Sequence, residues 1–156
     1  MTCNFYGHIP SQKIHASFMN HDITPPELYR LLSSIWCEYS CTPRLRHLWT
    51  PDNPTLGQCS ITAFLAQDIF GGKVLGILRP EGNYHCFNEV DGVVFDLTSE
   101  QFGDEVLDYS HADEQDRQEH FARKDKLERY EYLKAELLRR NEAGKLKDAV
   151  HGKEHV

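Results

Sequence analysis

The sequence predicts an α+β fold in which a short buried helix leads into a small antiparallel sheet, with further helices before and after. Three observations carry this. Apolar residues recur at helical spacing in three separate stretches. Between the second and third stretch lie three β-rich runs, parted by PEGN and by Asp91-Gly92, both turn signals. The 156 residues, 40% hydrophobic and 26% charged, suit one compact core, because a chain of this size buries roughly two-thirds of its unfolded surface.

Residues 1–23 scatter His8, His15 and His21 among small and polar residues without periodicity, so a peripheral arm is expected. Structural zinc ligands come in tighter pairs than these histidines. At Thr24 the run TPPE combines a hydroxyl cap, prolines at the first helical positions and Glu27 three residues on, a capping-box start. Leu28, Leu31, Leu32, Ile35 and Trp36 then share one helix face, and the helix is expected to reach about Tyr39. Cys37 and Cys41 stand four apart with no second ligand pair nearby, so they read as small hydrophobes. Residues 41–57 carry Pro43, Pro51, Pro54 and Gly57 and read as a long loop.

A buried helix follows over residues 58–70, with Ile61, Phe64, Leu65 and Ile69 at helical spacing and Gly71-Gly72 as its stop. Residues 73–79, 84–90 and 93–98 read as three strands of a meander. After Phe102 the chain turns acidic and reads as a solvated loop or a frayed helix start. Residues 121–141 form an amphipathic helix with Leu127, Tyr130, Leu133, Leu137 and Leu138 near one face. The heptad pattern is too short to insist on a coiled coil, so monomer and homodimer both stay open. Gly144 reads as its stop and residues 142–156 as a disordered tail, which leaves 24–141 as a single domain of catalytic type.

The formal charge of −7 disfavours nucleic acid, which demands a clustered positive surface. No apolar run approaches the ~20 residues that span a bilayer, and the first residues lack the charged and apolar regions of a signal peptide. Five cysteines without paired spacing point to reduced thiols. A cytoplasmic protein without membrane contact, metal or cofactor is expected.

The chemistry concentrates in Cys59, His85 and Asp96. A thiol attacks a carbonyl as thiolate, and a helix N-terminus, where Cys59 falls, favours that anion. The nucleophile also needs a base, and the base needs a group that orients it. If Asp91 and Gly92 make a two-residue turn, Val90 opposes Val93, Phe87 opposes Asp96 and His85 opposes Thr98. His85 and Asp96 then lie diagonally on one face, roughly 7–8 Å apart at the backbone, within reach of each other's side chains. Cysteine before a helix, histidine on a strand and aspartate on the next is the layout of papain-like and transglutaminase-like folds. An oxyanion would bind the Cys59 amide and one further donor, with Gln58, Asn88 and Thr55 as candidates. Cys86 follows His85 along the strand and is expected to face away from the site, which makes a zinc site with Cys59 and His85 awkward. The zinc-deaminase signature is absent.

The runs NPTLGQCSITAFLAQDIFGG, HCFN, DGVVFDLTSEQF and LERYEYLKAEL resemble the bacterial YunG-like family of small uncharacterised proteins, from about Leu28 to Leu138. The resemblance implies that Cys59, His85 and Asp96 form the triad, with Gln58, Asn88, Thr98 and Gln101 as further motif positions. HCFN stands where the family pattern is aromatic, HYWN-like, so Cys86 and Phe87 alter the pocket wall. Two functions follow as expectations. One is a cysteine hydrolase or acyltransferase (peptidase, deamidase, amidase or acyltransferase) acting on a peptide or small-molecule amide or thioester through an acyl-thioenzyme. The other is a non-catalytic ligand- or protein-binding domain that keeps the fold and uses the cleft, with Arg44, Arg46, His47 and Trp49 of the long loop along it.

Overall fold

A computed structural model describes residues 4–154, with side chains described for 4–142. Cys3, read above as a reduced thiol, and the last two residues of the expected tail lie outside the described residues. The chain begins with α1 (His8–Ser11) and the hairpin β1 (Ala16–Phe18) and β2 (His21–Ile23). This segment does more than skirt the surface: Phe5, Ile14 and Ile23 join the core, and Tyr6 bridges to Asp96.

Helix α2 (Pro25–Ser33) starts as its capping box requires, the Glu27 amide donating to the Thr24 hydroxyl. It ends well before Tyr39. The Ser33 hydroxyl donates to the Tyr29 carbonyl and the Ser34 hydroxyl to that of Leu31, while the amides of Ile35 and Trp36 both turn back to Leu32. The Ser34 hydroxyl thus serves a carbonyl that another helical turn would have used. Ile35 and Trp36 are buried even so. The long loop contains a 3₁₀ helix, Pro43–Leu48. Arg46 ties it down by donating to the carbonyls of Cys41 (3.1 Å) and Tyr39 (2.9 Å). The loop closes at Gly57, whose φ of +70° and approach to Cys41 leave no room for a side chain: a Cβ there would lie 2.5 Å from the Cys41 sulfur.

Helix α3 (Cys59–Phe70) follows. Ile61, Ala63, Phe64, Leu65 and Ala66 are all buried, so the helix is enclosed on more than one face. Strands β3 (Lys73–Leu78), β4 (Tyr84–Val90) and β5 (Val93–Phe95) form the meander. A two-residue strand from the acidic stretch, β6 (Asp113–Glu114), adds to β3 and completes the antiparallel order β5-β4-β3-β6. Asp91 and Gly92 both take positive φ, and Val90 pairs with Val93, as the hairpin reading requires.

Helix α4 (Arg117–Phe121) and the long α5 (Lys124–Glu154) close the fold. The expected helix over 121–141 is therefore two helices, and the second runs through Gly144 into the stretch expected to be disordered. An interior glycine costs a helix about 1 kcal/mol against alanine. That is too little to end a run in which Glu, Ala, Lys and Leu predominate on both sides of it. Tyr130, Leu133 and Leu137 of α5 are buried, whereas Leu127 is exposed. Arg117 pairs with Asp68 of α3 at 2.7 Å, and the Tyr130 hydroxyl donates to the same carboxylate, which locks α4 and α5 to α3.

Candidate functional site

The β4–β5 ladder stops at Asn88 and Phe95, and Asp96 turns away to pair with Tyr6. The rungs expected between Phe87 and Asp96 and between His85 and Thr98 do not form. The register still brings the two side chains together: His85 Nε2 stands 2.6 Å from Asp96 Oδ2, both fully buried. Asp96 has further donors. The Tyr109 hydroxyl donates to Oδ2 at 2.7 Å, and the Thr98 amide and hydroxyl donate to Oδ1 at 3.2 and 3.4 Å. A carboxylate held by several donors has one orientation, and so does the imidazole it holds. Phe102 packs edge-on against the His85 ring at 4.7 Å.

His85 Nδ1 is buried and has no hydrogen-bond partner within bonding geometry among the described residues. It is the nitrogen left for Cys59, which begins α3 and is half-buried. The Cys59 thiol is held well below its ordinary value, first by the Cys86 thiol, against burial, then by the neighbouring His85 and its charge and by the Cys86 amide. Burial works to lower His85, but the Asp96 charge and hydrogen bond, with Cys59, outweigh it and push the imidazole up to about 10. The shifts run in opposite directions, the thiol down and the imidazole up, so the surroundings favour the thiolate–imidazolium form of the pair.

The expectation that Cys86 faces away from the site does not hold. Cys59 meets β4 along the edge that β5 leaves unpaired, where the Cys86 amide also reaches the sulfur. Alternation sends His85 and Cys86 to opposite faces of a strand, but an edge is open to both. The Cys86 thiol gives its hydrogen to Cys59 and is pushed well above its ordinary range. Cys86→Ala should therefore shift the rising limb of Cys59 alkylation to higher pH, with the iodoacetamide rate at pH 5 falling by roughly tenfold, since a hydrogen bond to a charged group contributes about 1.5–3 kcal/mol. Stopped-time alkylation read by peptide mass spectrometry checks this.

Of the three oxyanion candidates, two spend their side-chain amides on backbone carbonyls. Gln58 donates its side-chain amide to the Cys37 carbonyl at 3.0 Å, and Asn88 donates to that of Ala63 at 2.8 Å. Thr55 is buried, and none of the three lines the cavity beside Cys59. The free amides of the first turn of α3 remain, Cys59's own among them. Gln101 lines the cavity and accepts from the Gly57 amide at 3.3 Å, bracing the turn that delivers Cys59.

That cavity measures about 850 Å³ and is lined by Cys59, His85, Cys86, residues of the loop after Cys41, and residues of α4, α5 and their junction. Sequence reasoning missed its α-helical wall. His120 presents a buried Nε2 without a partner among the described residues, and burial, then the Lys126 charge, pushes the ring down to about 4. The histidine is neutral at pH 7. Arg123, Lys126 and Arg129 recur every three residues, a spacing that shares a helix flank and was a usable signal. Tyr109 had no such signal, being one aromatic in an acidic run. No group of three or more His, Cys, Asp or Glu side chains among the described residues could hold a metal ion, and no helix among them is long and apolar enough to cross a membrane.

Comparison with known proteins agrees with the motifs. Over 81 residues the chain is 37% identical to the Bacillus subtilis (strain 168) protein described as "Uncharacterized protein YunG", a match covering 52% of this chain and 64% of that relative. The matched stretch thus spans just under two-thirds of the relative's length. No solved structure matches. The match to the YunG protein family covers residues 24–142, from the cap of α2 into α5, and the chain belongs to that family.

Proposed function

We propose that this protein is a cysteine-dependent hydrolase or acyltransferase acting on an amide or thioester. The 2.6 Å contact between His85 Nε2 and Asp96 Oδ2, with the other ring nitrogen unspent beside Cys59, is the observation that carries the reading. The arrangement of a nucleophile at a helix start, a histidine on the central strand and an aspartate just past its hairpin partner also supports a papain-like or transglutaminase-like relationship.

In the first half-reaction the Cys59 thiolate adds to the carbonyl carbon. The C–S bond forms as the C=O π pair moves to oxygen, and the oxyanion is received by the α3 amides. Collapse restores the carbonyl and breaks the bond to the leaving nitrogen or sulfur, which takes the proton from His85 Nδ1. The products are the free amine or thiol and a thioester on Cys59. In the second half, neutral His85 removes a proton from water or another acceptor as its oxygen or nitrogen attacks the thioester. The acyl group leaves, and thiolate and imidazolium are restored. Asp96 stays in place throughout, holding the ring and balancing its charge.

A panel of thioesters and activated amides, followed by intact-protein mass spectrometry, tests this. The expected result is an acyl adduct localised to Cys59 and absent from Cys59→Ala. Absence of any adduct across the panel in a folded protein would favour the alternative, a binding domain that keeps the cleft without turning over.

A further inference from the structure

The chain as a whole is acidic, yet the cavity at Cys59 is not. Five cations line it, Arg44, Arg79, Arg123, Lys126 and Arg129, against two carboxylates, Glu81 and Asp125. Arg79 is answered by Glu105 at 2.8 Å. Arg44, Arg123 and Lys126 make no ion pair among the described residues. Arg129 is the unusual member. Its side chain is 2% exposed, it donates to the Ser40 carbonyl at 3.0 Å, and its carboxylate neighbour Asp125 is half-exposed and 3.5 Å away. Its Nε is buried without a partner among the described residues.

A guanidinium taken out of water at that depth costs several kcal/mol unless its donors are satisfied, and a guanidinium fork suits carboxylate or phosphate oxygens best. Arg129 begins the second full turn of α5, with Lys126 one turn earlier and Arg123 just before the helix, so the three form a row along the cavity wall. Arg117 and Tyr130, bound to Asp68 of α3, hold that row against the helix that carries Cys59. Burial, then the Arg123 charge, lowers Lys126, while the thiols of Cys86 and Cys59 raise it, so the amine lies within electrostatic reach of the reacting sulfur.

Resting on the reading of Cys59 as nucleophile, we infer that the acyl donor carries a carboxylate or phosphate near its reacting carbonyl, and that Arg129, Lys126 and Arg123 seat that anion. Neutral His120, whose Nε2 has no hydrogen-bond partner among the described residues, offers the same ligand a hydrogen bond from the adjacent wall.

Paired alkylating reagents test this without knowledge of the substrate. Iodoacetate and iodoacetamide consume the same thiolate and release the same iodide, so the ratio of their rates at Cys59 cancels any change in thiolate fraction and reports the charge preference of the cavity. In the native protein the iodoacetate/iodoacetamide ratio should exceed that of free N-acetylcysteine by about fivefold or more, and Lys126→Gln and Arg123→Gln should each lower it by on the order of fivefold, the effect of one charge at about 4 Å even in a water-like medium. Arg129→Lys serves as a third variant that keeps the charge and loses the fork, with a smaller fall expected. A ratio equal to the free thiol's, or rates that fall together in the variants with the ratio unchanged, would overturn the inference and leave the cations as support for the thiolate alone. If Cys59 reacts with iodoacetamide no faster than Cys37, the nucleophile reading itself has failed, a separate result.

Discussion

Replacing His85 with alanine should slow alkylation of Cys59 by iodoacetamide at acidic pH on the order of a hundredfold and move the rising limb of the rate–pH profile toward that of an ordinary thiol. The imidazolium brings a full charge beside the sulfur, and an opposite charge nearby is typically enough to move a titration by 1–3 units. The Cys86 thiol and amide remain in the variant, so the thiolate keeps part of its stabilisation and the limb should not return all the way. For acyl transfer the loss should be larger, about 10²–10⁴-fold, because the same ring also delivers the proton to the leaving group. Alkylation at several pH values and acyl-adduct formation by mass spectrometry separate the two effects. An unchanged alkylation profile in a folded His85→Ala protein would mean that Cys59 owes its ionisation to Cys86 and the helix alone.

The parts of this site that are readable from the sequence are those set by short-range rules. The Thr24 cap, the Gly71-Gly72 stop and the Asp91-Gly92 turn each act within a few residues. The turn alone fixes which side chains of β4 and β5 share a face, and that places His85 with Asp96 before any long-range contact is known. What could not be read depends on which distant elements meet. Tyr109 reaches Asp96 from a stretch whose composition says only that it is wet. Cys86 reaches Cys59 because β5 stops short and exposes an edge, a feature of strand lengths, whereas the alternation rule assumes a paired strand. Asn88 and Gln58, polar and close to the chemistry in sequence, satisfy the carbonyls of Ala63 and Cys37. A buried amide is claimed first by an orphaned backbone acceptor. The row of cations is a helical repeat in plain view, but its relation to Cys59 follows from the clamp of Arg117 and Tyr130 on Asp68, which joins positions far apart in the chain.

Asp96 is where structure and chemistry are most tightly joined, and Asp96→Ala should destabilise the fold by about 3–5 kcal/mol at pH 6, the usual cost of removing one partner from a buried ion pair. His85, Tyr109 and Thr98 would all lose an acceptor in a place water does not reach. The loss should itself depend on pH. In the folded chain His85 keeps its proton up to about 10, against an ordinary 6.5 once unfolded. A raised imidazole contributes its stabilisation in full below about 6.5, and that contribution declines as pH rises toward 10. The gap in unfolding free energy between native protein and Asp96→Ala should accordingly be widest near pH 6 and narrow as pH rises through about 10, where the folded imidazole gives up its proton as the unfolded one already has. Urea unfolding across that range measures it. Asp96→Asn, which keeps the shape and one acceptor oxygen, provides the comparison should the alanine variant not fold: it should cost less at every pH, yet show the same narrowing, because what the pH removes is the charge on His85 and the asparagine has already given up its counterpart. A gap independent of pH would mean that the His85–Asp96 contact is a neutral hydrogen bond, and the thiolate on Cys59 would then have lost its counter-ion.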